Sequence, residues 1–136
     1  MLRQHPRIAF GMQKTINLWL RDRSPNWHLA MLMALQLHMN WDGKINLVTV
    51  ATKSEDEKRL HKFLDRLSEQ ARLPSLTEFY VLVGSFEKLL SEAPRADINI
   101  FGVGDVLMFD FMRKASELTR SSCLYVKDSG FESALV

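Results

Sequence analysis

A chain of 136 residues, 46% hydrophobic and 25% charged, is long enough for one domain with a core of its own. A net charge of +2, with basic residues not stacked in one run, excludes an electrostatic footprint for nucleic acid. A single cysteine, Cys123, excludes an internal disulfide framework and fits a reducing compartment.

The N-terminus MLRQHPR has no apolar stretch behind its charges, so no signal peptide is expected. The longest apolar run, Leu29 to Leu35, falls far short of the ~20 residues of a membrane helix. The chain is therefore expected to be soluble and, alone, unable to carry anything through a bilayer. Residues 1–14 read as a lead-in segment or an extra strand. Thr15 to Leu20, TINLWL, is the first clear strand. Ser24 and Pro25 then supply an N-cap and a proline at the first helical position. The helix that follows runs to about Asn40, and Asp42-Gly43 ends it. Lys44 to Ala51 is a second strand, rich in β-branched residues.

Ser54 and Glu57 predict a capping box for the next helix, where Leu60, Phe63, Leu64, Leu67 and Ala71 recur at helical spacing. Glu55, Lys58, Arg59, Lys62, Asp65, Arg66 and Glu69 form its outer face. That mixture of signs is a solvated face and not a binding patch. Leu73-Pro74 stops it. Thr77 to Val83 is a third strand, Ser85 to Ala93 a short helix, and Asp97 to Val103 a fourth strand. A helix from about Val106 to Thr119 leads to a fifth strand, Ser122 to Lys127, with residues 129–136 as a tail. This alternation predicts an α/β fold: a five-stranded, mostly parallel sheet with four helices on both faces.

The helix after Asn26 carries more apolar surface than docking on a sheet requires. A wheel set on Trp27 gives one stripe of Ala30, Met33, Ala34, Leu37 and Trp41. Met31, Leu32, Leu35 and Met39 lie elsewhere, among His28, Gln36 and His38. Such a surplus points to a partner or second domain. The alternative is a central helix covered by its own neighbours. The expected contact residues are Trp27, Met31, Leu32, Leu35 and Met39.

Ligands in an open α/β sheet bind beyond the carboxyl ends of the strands. Asp22, Thr52, Gly84, Gly102, Gly104 and Asp105 are the candidates there. Gly102-Val103-Gly104 looks like the start of a phosphate loop. It lacks the third glycine, however, and Asp105 stands where a phosphate would be repelled. No Gly-Lys-Ser/Thr is present. His5, His28, His38 and His61 have no helix-spaced partner for zinc. Cys123 reads as a small buried hydrophobe, and Ser121-Ser122 as a polar turn with the alternative of an anion contact. No paired carboxylates or activated nucleophile stand out, so no catalytic residue, cofactor or metal is expected.

The string TINLWLRDRSPNWHLAMLMALQLHMNWDGKINLVTVA resembles the distal half of the cytoplasmic C-terminal domain of cation–chloride cotransporters, prokaryotic members above all. The matching positions are Thr15, Ile16, Leu18 and Trp19 in a T-I-x-[VL]-W strand, Trp41 in the turn, and Lys44, Ile45, Leu47 and Val50 in a K-I-x-[LV]-x-V strand. ADINIFGV is similar to the family's fourth strand of this half, and SSCLYVKDSGFESALV to its closing strand and tail.

The resemblance implies a universal-stress-protein-like fold, duplicated in the parent, with residues 15–128 as a regulatory domain. It implies a dimer, or contact with the other half and with the membrane-embedded transport unit, on the cytoplasmic side of the membrane. The parent would couple chloride transport to sodium or potassium. No transport residue maps onto this chain. Only Gly84 to Arg95 occupies the place of the long regulatory insertion of animal members. The expected role is non-catalytic and mechanical, a contact that biases the membrane part by about 1–3 kcal/mol. The runner-up is a stand-alone stress-protein-like module binding ATP.

Overall fold

The computed structural model describes residues 1–4, 14–20, 27–102 and 109–127. The strands are β1 (Leu2–Arg3), β2 (Thr15–Leu20), β3 (Lys44–Ala51), β4 (Glu78–Val83), β5 (Ile98–Gly102) and β6 (Ser122–Val126). The helices are α1 (His28–Trp41), α2 (Glu57–Gln70), α3 (Phe86–Glu92) and α4 (Phe109–Thr119).

One six-stranded sheet has the order β1-β6-β5-β2-β3-β4. β2, β3, β4, β5 and β6 run parallel, and β1 pairs antiparallel with β6 through Leu2↔Leu124 and Arg3↔Cys123. The sheet thus has six strands where the sequence predicted five. A two-residue strand shows no alternation to read. It is held by its ends: the Met1 amino group donates to Tyr125 O, and Tyr125 N donates to Met1 O, both at 2.6 Å.

The chain moves outward from β2 through β3 to β4, then returns past β2 to β5 and β6. Right-handed crossovers place helices on opposite faces when the direction of travel reverses. The core follows suit. α1 and α2 cover one face, where Ile16, Leu18, Ile45, Leu47, Ile98 and Ile100 meet Met31, Ala34 and Leu64. α3 and α4 cover the other, where Trp19, Val48, Phe101 and Tyr125 meet Leu90, Met112 and Ala115. Five rings interlock there: Phe101 stacks on Trp19 and on Tyr125, both at 5.5 Å, and Phe86 and Phe111 stand edge-on to it.

A line of amides crosses the same face. Asn46, Asn17 and Asn99 occupy one register position on three adjacent strands. Asn46 Nδ2 donates to Asn17 Oδ1 at 3.0 Å, and Asn17 Nδ2 donates to Pro94 O at 2.6 Å. Asn99 Oδ1 accepts from Trp19 Nε1 at 2.8 Å, while its Nδ2 donates to Ser121 Oγ at 2.7 Å. Buried amides persist when such partners replace water.

One local expectation is corrected, and the expected end of α1 at Asp42-Gly43 is borne out with a separate role for each residue. Ser54–Asp56 is a single 3₁₀ turn, α2 begins at Glu57, and no side chain caps it, so the capping box is not formed. Asp42, not Gly43, takes the left-handed conformation after α1 (φ 54°), and its N–H donates to His38 O. Gly43 serves close approach instead, since a Cβ there would stand 3.1 Å from Lys14 O. The Ser24-Pro25 helix start and the tail at 129–136 lie outside the described residues.

Candidate interaction surface

α1 has apolar residues on all sides, and its packing decides which of them face the sheet. Ala30, Met31 and Ala34 are buried. Two alanines one turn apart let the helix lie close to β2, and Met31 fills the space beside them. Trp27, Leu29, Leu32, Met33, Leu35, Leu37 and Trp41 are half-buried against that core. Met39 is 78% exposed.

The five expected contact residues therefore separate. Met31 is wholly buried in the core and cannot meet a partner, which corrects that expectation. Trp27 is half-buried and stacks on His28 with centroids 3.7 Å apart. Leu32 and Leu35 present part of their surface outward, and Met39 nearly all of it. The predicted inward stripe is also turned: Met33 and Leu37 are half-buried where Met31 is fully so. A wheel orients a helix only when one side is polar, and here apolar residues surround the axis. His38, in the last turn, is held locally, its Nδ1 donating to Gly43 O at 2.5 Å.

Among the described residues, the other candidates do not assemble into a chemical site. Gly84 ends β4 at φ 142°, with its N–H on Ala51 O at 3.0 Å, and Gly102 is the last residue of β5. Asp22, Gly104, Asp105 and His5 lie outside the described residues. His61 is exposed on α2, and no group of three or more His, Cys, Asp or Glu residues among the described residues is placed to hold a metal ion.

Cys123 is buried, and that burial pushes its thiol above the ordinary value of 9.0. A thiol kept protonated is a poor nucleophile. Burial likewise pushes the Tyr125 hydroxyl up, and it donates to Met112 O at 2.9 Å. Ser121 and Ser122 are buried. The Ser121 hydroxyl accepts from Asn99 and donates to Thr119 O at 3.2 Å, which turns it inward, away from any anion. Sequence reasoning passed over Asn17, Asn46 and Asn99. Their shared place one residue before a large apolar residue (Leu18, Leu47, Ile100) was the available signal.

No described helix is long and apolar enough to cross a membrane. The family described as prokaryotic cation-chloride cotransporter, C-terminal domain, second part, matches residues 11–135. Among solved structures the chain is similar to one described as the cytoplasmic domain of a prokaryotic cation chloride cotransporter. That likeness has a TM-score of 0.89 and 33% identity, over 98% of this chain and 53% of that one. This chain thus spans about half the length of the solved relative. No curated protein matches it. With nearly the whole sequence matched and the fold shared, the chain belongs to the family formed by the second part of the C-terminal domain of prokaryotic cation–chloride cotransporters.

Proposed function

We propose that this chain is a non-catalytic regulatory domain on the cytoplasmic side of a membrane cotransporter that moves chloride with sodium, potassium or both. The match over residues 11–135 carries this reading, since it ties the chain to a region attached to such transporters. The surface of α1 supports it independently. Leu32, Leu35 and Met39 offer apolar area that the sheet does not need, as expected of a helix that meets another body.

The fitting partner is the other half of the cytoplasmic region, because the solved relative is nearly twice as long as this chain. The contact would act by favouring one arrangement of the membrane part over another, with a coupling of about 1–3 kcal/mol.

The parentage is tested by immunoblotting separated membrane and soluble fractions. The segment is expected in the membrane fraction, in a polypeptide several times larger than 15.7 kDa. A soluble band at the chain's own mass would overturn the reading. The contact is tested with Leu35→Asp and with Met39→Asp, the latter at an exposed position that leaves the core alone. Affinity for the other half, supplied as a separate chain, is expected to fall by about 10–100-fold, with circular dichroism unchanged. Unchanged affinity in both variants would remove α1 from the interface.

A further inference from the structure

The two edges of the sheet are finished differently. β4 has no strand beyond it among the described residues, while β6 is covered by β1. That cover is slight. β1 holds two residues where the other strands hold five to eight, and it runs antiparallel in an otherwise parallel sheet. Leu2 is 48% exposed, and Arg3 is exposed as well. β1 therefore buries little apolar surface and is held mainly by backbone hydrogen bonds.

What it covers is buried far more deeply. Tyr125 N donates to Met1 O, so Tyr125 turns its peptide groups toward β1. Peptide groups alternate along a strand, so Cys123 also faces β1, while Leu124 and Val126 face β5. Neighbouring amides of one strand thus depend on different partners. The Cys123 and Tyr125 side chains both lie on the α4 face, 0% and 1% exposed. Cys123 Sγ is 3.6 Å from Thr119 Oγ1, and the Tyr125 hydroxyl reaches Met112 O, both on α4. Arg3 stands opposite Cys123 in register, at the open side of this seam. Its charge favours ionisation of the thiol and the phenol, against the burial that pushes both up, so it lies close to both. β1 touches α4 as well as β6.

We propose that β1 is a detachable strap. It leaves β6 while the other five strands stay paired, and in leaving it uncovers the outer edge of β6 and the Cys123 thiol. Local openings begin where few apolar contacts back the backbone hydrogen bonds, and β1 is such a place. The seam between β5 and β6 is of the opposite kind, with five register pairs joining two largely buried strands.

The strap also stands where it can be acted on. Under the function proposed above, another part of the cytoplasmic region precedes this one, and β1 is the first element that any movement of that part would reach. The parting of β1 itself needs only this chain. A soluble parent would remove what acts on the strap and leave the strap standing.

Hydrogen exchange of the unmodified chain tests the parting, with β6 as its own control. The amides of Cys123 and Tyr125 are expected to exchange at least about 100-fold faster than those of Leu124 and Val126. Equal protection of all four would overturn the proposal, because β6 would then open only as a whole. Cys123, the single cysteine of the chain, reports the uncovering through its labelling by an aromatic disulfide reagent. Arg3→Pro removes an N–H that faces β6 and no bond among the other five strands. It is expected to speed that labelling at least about 10-fold, with the exchange of Leu124 and the circular dichroism spectrum unchanged. Labelling at the parent's rate would show that α4, and not β1, closes off the thiol, and would overturn the proposal. Faster labelling matched by faster exchange at Leu124 would do the same, since β1 would then be inseparable from the rest of the fold.

Discussion

Phe101→Ala is expected to lower the unfolding free energy by about 3–5 kcal/mol, the largest loss for any single truncation in this chain. Phe101 is 3% exposed and lies between two flat partners, Trp19 and Tyr125, while Phe86 from α3 and Phe111 from α4 stand against its edges. One ring therefore ties β2, β6 and two helices to the middle of the sheet. Removing it opens a void that four rigid rings cannot close, and rigid surroundings place a cavity at the costly end of the range. For a domain stable by about 5–15 kcal/mol, that loss is a large share of the total. Urea unfolding followed by tryptophan fluorescence measures it. A loss below about 1 kcal/mol would mean that the rings hold together without their central member.

Asn17→Ala is the second large effect, through polarity and not volume. Asn17 is fully buried and links Pro94 O to Asn46 Nδ2. Asn46 Oδ1 already has no hydrogen-bond partner, so the truncation would leave the whole Asn46 amide unsatisfied in the interior. The expected cost is about 2–4 kcal/mol. The paired change Asn17→Leu with Asn46→Leu is expected to lose much less, within about 1–2 kcal/mol of the parent, because both polar partners go together. Chemical denaturation of the single and double variants separates the two cases. Equal losses in both would show that the site matters for packing and not for its hydrogen bonds.

The sheet's plan was open to reading because five strands announce themselves with β-branched and aromatic runs, and helices of clear spacing separate them. α2 is the plainest case: its apolar residues keep to one side, its charges to the other, and Leu60, Leu64 and Leu67 are buried as expected. α1 resisted for the opposite reason. With no polar side, its rotation depended on which residue the sheet accepted, and the small Ala30 and Ala34 brought Met31 inward with them. β1 is too short to carry a pattern. The asparagine line was hidden as well, because each amide looks like an ordinary polar position until three strands are laid in register. The bare edge at β4 belongs to the same class, since strand order is a property of the assembled sheet and not of any one segment.

The return of the chain from β4 to β5 sets the order in which its parts can become stable. β2, α1, β3, α2 and β4 form a continuous unit of local crossovers, and one face of that unit is covered as soon as the two helices close. Its other face, with Trp19 and Val48, gains its aromatic neighbours only when Phe101, Phe111 and Tyr125 arrive much later in the chain. The bond from Trp19 Nε1 to Asn99 spans 80 residues. Contacts so distant in sequence slow folding and leave apolar surface open while they wait. A ribosome making this protein would thus hold a half-built sheet with one greasy side uncovered until the last strand is released, and protection by chaperones would matter most during that interval.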